Sequence, residues 1–450
     1  MDLKDKKVLV FGTGLSGIGA AALLYRTGAK PVLYDGNTKT DPEDVRQRLG
    51  DVEAEIIIGE LTEERMEELS LVVLSPGVPT DLPLVETLRE KKLPIWGEVE
   101  LAYRNSRGDV LAITGTNGKT TTTSLLGEIM KAHQSSVFVV GNIGTPYTGA
   151  ALDTRENSVT VAEISSFQLE TIQEFHPKVS AILNITPDHL NRHHTMEEYI
   201  RVKESIAKNQ TEKDVCVLNY EDPVLREFGS TLKCQVLFFS SLRTLERGLF
   251  LEKDEIICAD GKNREVLCGT KELNLPGRHN HENVMAAAAM ALSWGVPMEE
   301  IRRVVKSFRA VEHRIEYVTE KNGVVYYNDS KGTNPDAAIK AVQAMDRPTV
   351  LIGGGYDKDS SYEEWIQAFD GKVKLLVLLG ATKEKIAAAA KNCGFEQYVF
   401  ADTLEEAVEI CARRAESGDA VLLSPACASW DMFPSYEVRG RMFKEYVRKL

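Results

Sequence analysis

Strand, loop and helix alternate along the 450 residues, and this predicts an α/β protein of three domains. Three observations carry the prediction. Lys7-Val8-Leu9-Val10-Phe11 reads as a strand and runs into Gly12-x-Gly14-x-x-Gly17 and an alanine-rich helix. The apolar run Val110 to Ile113 leads into Gly115-Thr116-Asn117-Gly118-Lys119-Thr120-Thr121, then Leu125, Leu126, Ile129 and Met130 at helical spacing. A fresh strand–helix series begins after Arg314. These patterns predict a Rossmann-like domain over 1–97, a central P-loop-type ATPase domain over 98–310 and a C-terminal Rossmann-like domain over 311–450.

Composition narrows the function. A chain this long exceeds one core. The net charge of -13 excludes non-specific nucleic-acid binding, which needs a basic field. It does not exclude an anionic ligand, because charges beyond about 8 Å are screened and local donors decide. The 7 cysteines are scattered and form no close metal-type pair, so a reduced, cytoplasmic protein is expected. Met1 to Lys7 is charged rather than signal-like, and no apolar run reaches the roughly 18 residues of a membrane helix.

In the first domain, the strand Pro31 to Tyr34 ends at Asp35. Glycine turn and acid match a dinucleotide fingerprint, a pattern that specifies an anion site and not a nicotinamide. The segment is short, so the reading is a half-size unit binding a nucleotide-type diphosphate through Leu15, Ser16 and Asp35. Gly17 alternatively serves only close helix–strand packing. Leu71 to Leu74 with Ser75-Pro76-Gly77-Val78-Pro79 gives a strand and loop at the same sheet edge.

In the second domain, Gly115 to Thr121 forms a shortened phosphate loop, because Ile113 stands where the usual spacing has glycine. Backbone N–H groups, a helix start worth about half a positive charge, Lys119 and a threonine hydroxyl are what a magnesium-bound phosphate chain requires. Two strands follow: Val159 to Ile164 carrying Glu163, and Val179 to Ile185 carrying Asn184, with His189 beyond. Loops at carboxyl ends should bring Lys119, Glu163 and His189 together. Glu163 suits magnesium, and His189 suits a substrate or a metal. Tyr199 and Lys203 share a helix face, although spacing alone gives a solvated surface lysine. Asn142 sits in a ligand-type loop, and Cys234 to Pro276 reads as a small antiparallel insert. A helix from Val284 to Leu292 follows Asn280 and Asn283, which either read a base edge or, for Asn280, cap the helix.

Phe308 to Arg314 reads as a linker. The third domain has strands Val324 to Tyr327, Thr349 to Ile352, Lys374 to Leu379, Gln397 to Phe400 and Ala420 to Leu423. The loops 328–334, 353–358 and 424–430 leave carboxyl ends and should border one crevice, where Lys331, Thr333, Lys358 and Ser429 form a dicarboxylate site. Cys427 has no evident base beside it and reads as packing.

The ordered set Gly115-Thr116-Asn117-Gly118-Lys119-Thr120-Thr121, Glu163-Ile164-Ser165-Ser166-Phe167-Gln168-Leu169-Glu170, Asn184-Ile185-Thr186-Pro187-Asp188-His189, Leu275-Pro276-Gly277-Arg278-His279-Asn280, His313-Arg314, Asp329-Ser330-Lys331-Gly332-Thr333-Asn334 and Ser424-Pro425-Ala426-Cys427-Ala428-Ser429 resembles the Mur ligases. These ATP-dependent amide ligases build the peptide of bacterial cell-wall precursors. The resemblance covers essentially the whole chain, and its last two motifs point to the D-glutamate-adding member. It implies that Gly115, Thr116, Asn117, Gly118, Lys119, Thr120 and Thr121 hold the ATP phosphates, with Asn280, Asn283, Arg314 and Asp329 at the nucleoside end. It implies two magnesium ions, on Thr120, Glu163, His189 and Lys203, with Lys203 carbamylated. Leu15, Ser16, Asp35, Asn142, Gln168 and His189 would hold UDP-N-acetylmuramoyl-L-alanine, and Lys331, Thr333, Lys358, Ser429 and Tyr436 would hold D-glutamate. The family often has Phe where Tyr436 stands and Leu where Trp430 stands.

The implied reaction runs through an acyl phosphate, in peptidoglycan precursor synthesis, with the last domain closing on hinges near Gly97 and Ala310 and the chain acting as a monomer. The rival classes are an NAD-dependent oxidoreductase using Gly12, Gly14 and Gly17, and a nucleotide-switch module without ligase chemistry.

Overall fold

Apolar runs closed by glycine loops become the strands of three sheets. The computed structural model describes residues 2–142, 144–275, 277–309, 312–345 and 347–450. The first sheet comprises β1 (Lys7–Phe11), β2 (Lys30–Asp35), β3 (Glu55–Ile58), β4 (Leu69–Leu74) and β5 (Ile95–Gly97). All its pairings are parallel, in the order β3-β2-β1-β4-β5. The order reverses between β1 and β4, so the glycine turn after β1 opens at a topological switch point.

The second sheet comprises β6 (Asp109–Thr114), β7 (Val137–Gly141), β8 (Val159–Glu163), β9 (Val179–Ile182), β10 (Val215–Asn219), β11 (Gln235–Ser240), β12 (Arg247–Glu252), β13 (Glu255–Asp260) and β14 (Arg264–Gly269). Its order is β14-β13-β12-β11-β10-β9-β6-β8-β7. β6, an interior strand between β9 and β8, is buried from Val110 to Thr114, as a strand covered on both faces must be. The expected antiparallel insert is instead an extension of this sheet: β12 pairs parallel with β11, and β13 and β14 follow antiparallel. β14 is the edge. There Arg302 donates through Nε to the Leu267 carbonyl at 2.9 Å and through Nη2 to the Val266 carbonyl at 2.7 Å.

The third sheet comprises β15 (Glu316–Lys321), β16 (Val324–Asn328), β17 (Thr349–Gly353), β18 (Val373–Leu378), β19 (Tyr398–Phe400) and β20 (Ala420–Leu423), in the order β15-β16-β20-β17-β18-β19. β15 has no counterpart in the sequence reading. Three of its six residues are charged, none is fully buried, and it pairs antiparallel with β16.

The first two sheets lie in one compact unit, Met1–Gly269 with Asn283–Val305, and the third in another, Thr270–Glu282 with Lys306–Leu450. The expected boundary between Ala310 and Val311, with its hinge, lies outside the described residues, as do Ile143 and the motif residue Pro276. Two elements differ from expectation by more than two residues at one end. The strand expected to reach Ile185 ends at Ile182, because Asn184 and Thr186 turn to bond the phosphate loop and Ile185 N donates to Asp222 Oδ2. The helix expected from Val284 spans Arg278–Trp294, so Asn280 lies inside it rather than capping it. Among the described residues no helix is long and apolar enough to cross a membrane.

Candidate active site

The phosphate loop leaves the carboxyl end of β6, with Gly115 at φ 147° and Gly118 at φ 86°. Both angles favour glycine. At Gly118 a side chain is also excluded by contact, since a Cβ would stand 2.2 Å from Asn283 Oδ1. Asn184 fixes the loop from β9's side. Its carbonyl accepts from Thr116 N at 2.9 Å, its Oδ1 from Asn117 N at 2.8 Å, and its Nδ2 donates to the Asn117 carbonyl at 3.1 Å. The helix Lys119–His133 starts directly after Gly118 with no acidic residue in its first turn, leaving its positive end for an anion.

Two lysines converge on one carbonyl. Lys119 Nζ donates to the carbonyls of Gly115 and Thr116, both at 2.9 Å, and Lys203 Nζ donates to Gly115 O at 2.8 Å. Lys203 is 2 % exposed, which corrects the solvated-surface reading from spacing. The helix Met196–Glu204 turns it inward, with its ammonium 4.7 Å from the centre of the Tyr199 ring. Burial, together with the Lys119 charge, holds its amine well below the ordinary lysine range. Tyr199 Oη in turn meets Thr116 Oγ1 at 3.1 Å.

Glu163 closes β8 and is 1 % exposed. Its Oε1 accepts from Asn142 Nδ2 at 2.8 Å, while its buried Oε2 has no hydrogen-bond partner among the described residues. A buried carboxylate oxygen left unpaired is costly, and its chemistry suits a hard cation with oxygen preference. Thr120 and Thr121 are buried at the adjoining helix start. His189 is exposed at φ 54°, its ring 4.8 Å from Phe167 and its Nε2 3.6 Å from Asp188 Oδ2.

At the first sheet, Leu15 is 76 % exposed at the start of the helix Leu15–Arg26, with Ser16 half-buried beside it. Asp35 accepts from Thr13 Oγ1 at 2.7 Å. Gly17 has a clear packing role, since a Cβ there would stand 1.9 Å from the Gly12 carbonyl. Gln168 completes a capping box with Ser165 on the helix Ser166–Leu169 and is buried.

The second unit carries its own constellation. Asp329 is fully buried, accepts from Ser424 Oγ at 2.8 Å and lies 3.7 Å from Arg314 Nη1. Burial raises its carboxyl to about 6. Lys331 lies 5.5 Å from the Tyr436 ring and Lys358 5.6 Å from the Trp430 ring. Ser429 is buried, and Thr333 N donates to the Lys331 carbonyl. Cys427 is buried between Tyr362 Oη and Thr382 Oγ1, its thiol pushed up by burial, in keeping with packing. The sequence reading missed Arg439. This buried guanidinium, lowered to about 10 by burial, donates to the carbonyls of Ser330, Cys427 and Ala428 and so braces two of the expected crevice loops. It lies in the polar helix Tyr436–Lys449, where nothing in the sequence reading singled it out.

A glycine-lysine-threonine loop at the carboxyl end of a central parallel strand marks the α/β proteins that bind nucleotide phosphate chains. Three family models match in order: the Mur ligase MurD-like N-terminal domain over 6–97, the Mur ligase middle domain over 113–291 and the Mur ligase glutamate ligase domain over 313–427. The chain belongs to the Mur ligase family. It is similar to the UDP-N-acetylmuramoylalanine--D-glutamate ligase of Lachnoclostridium phytofermentans, 59% identical over 100% of this chain and 99% of that protein. The same-named protein of Lachnospira eligens is 57% identical over 100% of both chains. Among solved structures, MurF ligase from Thermotoga maritima in complex with ADP superimposes with TM-score 0.62 at 20% identity, covering 100% of this chain and 99% of that one.

Proposed function

We infer that this protein is an ATP-dependent amide ligase that joins D-glutamate to UDP-N-acetylmuramoyl-L-alanine in peptidoglycan precursor synthesis. The observation that carries this is full-length similarity at 59% and 57% to ligases of that name. ATP and small-molecule acceptors follow from the family. The alanine carboxylate attacks the γ-phosphorus, ADP leaves, and an acyl phosphate forms. The D-glutamate amine then attacks the acyl carbon, loses its proton, and phosphate departs. The loop N–H groups and Lys119 bind the phosphates, with Lys119 exchanging its carbonyl partners for phosphate oxygens. Asn280, Asn283, Arg314 and Asp329 hold the nucleoside end. Leu15, Ser16, Asp35, Asn142, Gln168 and His189 orient the nucleotide-sugar, and Lys331, Thr333, Lys358, Ser429 and Tyr436 orient D-glutamate.

The donor set suits magnesium: Thr120, Glu163 with its unpaired oxygen, His189 and a carbamylated Lys203 would hold it. When bound, the metal neutralises charge on the phosphate chain. Carbamylation converts R–NH2 and CO2 into a carbamate and a proton. Only the neutral amine reacts, and burial of Lys203 favours that form. Turnover should therefore fall when dissolved CO2 is removed and return with bicarbonate, the requirement steepening as pH falls and Lys203 is protonated. Turnover insensitive to CO2 across pH 6 to 9, with an intact-mass spectrum lacking the carbamate, counts against it. The free cysteines and nucleotide substrates favour the cytoplasm.

The decisive assay measures phosphate release with the nucleotide-sugar acceptor against a panel of amino acids. Release specific to D-glutamate is expected. Release with L-alanine instead, or ATP hydrolysis independent of acceptor, overturns the assignment.

A further inference from the structure

Glu170 closes the motif that begins at Glu163, yet no role in the reaction has been given to it or to Arg192. They form a bidentate pair: Arg192 Nε lies 3.1 Å from Glu170 Oε1, and Nη2 lies 2.5 Å from Oε2. The side chains are 12% and 9% exposed. The same Nη2 donates to the Val78 carbonyl at 2.9 Å, in the loop after β4. The guanidinium also stacks over Phe167 at 5.0 Å, and Phe167 packs on the rings of His189 and His193 at 4.8 and 5.5 Å. His193 Nδ1 lies 3.5 Å from Glu170 Oε1, and its Nε2 meets Ser166 Oγ at 2.9 Å. Arg192 thus touches three segments: the loop of Val78, the helix Ser166–Leu169 with Glu170 just after it, and its own short helix Leu190–His193, whose N-cap is His189.

The Val78 loop is no isolated strand end. A Cβ added to Gly12 would meet Val78 Cγ2 at 3.3 Å and Ser75 Oγ at 2.8 Å, so this loop packs directly on the glycine turn that sets Leu15 and Ser16. We propose that Arg192 is a positioning residue for the nucleotide-sugar substrate, strapping the Val78 loop to the helices that carry Gln168 and His189 so that groups from two sheets close on one ligand. This rests on the functional reading above. A planar five-donor fork does this work; an ammonium cannot bond Glu170 at two points and a carbonyl in the same plane.

The test uses the full chain, Arg192→Lys, and the double variant Arg192→Met with Glu170→Met. The double variant removes both charges together, which keeps a buried pair from leaving one partner stranded. Hydrogen exchange is followed at residues 75–80 and 189–193, and steady-state constants are measured for all three substrates. Expected is faster exchange confined to those two segments in both variants. The KM for UDP-N-acetylmuramoyl-L-alanine should rise about tenfold, a scale set by loss of substrate positioning, with the KM values for ATP and D-glutamate within about twofold. A double variant with wild-type melting temperature, exchange and KM makes the pair dispensable, and one with an altered melting temperature but wild-type exchange at both segments and wild-type KM makes it merely structural; either overturns the proposal. So does altered exchange with an unchanged nucleotide-sugar KM. If the wild-type chain itself lacks D-glutamate-dependent turnover, the functional reading fails first, and the exchange data still report whether the strap exists.

Discussion

Lys119→Ala is expected to lower turnover at least about 10²-fold, the scale of losing one preorganised donor to developing charge. The lysine is already at the loop, with its ammonium on the Gly115 and Thr116 carbonyls. A carboxylate attacking a polyanion needs that charge in place before the reaction starts. A second effect follows from the geometry. Lys119 is one cause of the depressed Lys203 amine, so its loss lets Lys203 hold a proton to higher pH. The variant should therefore need more bicarbonate than the wild type at any given pH. Stopped-time ADP release with and without bicarbonate checks both effects, and turnover within tenfold of wild type would remove Lys119 from the proposed machinery.

Glu163→Gln separates function from stability. Metal charge stabilisation is worth several kcal/mol, and 1.36 kcal/mol is tenfold, so turnover should fall by about 10² or more. The metal-free protein should melt at the same temperature or higher, because a buried, unpaired amide costs less than a buried, unpaired carboxylate oxygen. Magnesium with nucleotide should raise the wild-type melting temperature more than the variant's. Thermal shift and ADP release together read this prediction. Equal magnesium stabilisation of both proteins, with normal turnover, would count against a metal at Glu163.

The local grammar of the chain revealed much of this. Gly115 to Thr121 is contiguous, and a strand, a positive-φ turn and a helix start can be read from neighbours alone. Lys203 could not be read that way. Its burial depends on Gly115 O, a partner 88 positions earlier, and a lysine at helical spacing carries no sign of it. Arg439 and Arg192 are similar cases, each defined by carbonyls distant in sequence. The early end of β9 was hidden because apolar residues 183 and 185 continue the strand pattern while their neighbour Asn184 leaves to bond the phosphate loop. β15 was hidden for the opposite reason, as a charged edge strand lacks the apolar signature of the central ones.

The arginine at the rim of the nine-stranded sheet has a consequence for solubility under crowding. A bare outer strand offers a row of hydrogen-bond acceptors on which a stray segment from another molecule can zip up. Arg302 occupies two of those acceptors, at Val266 and Leu267, and ion-pairs with Glu265 beside them. A side chain from the helix Met298–Ser307 thus occupies two carbonyls of the β14 edge that a stray segment could otherwise use.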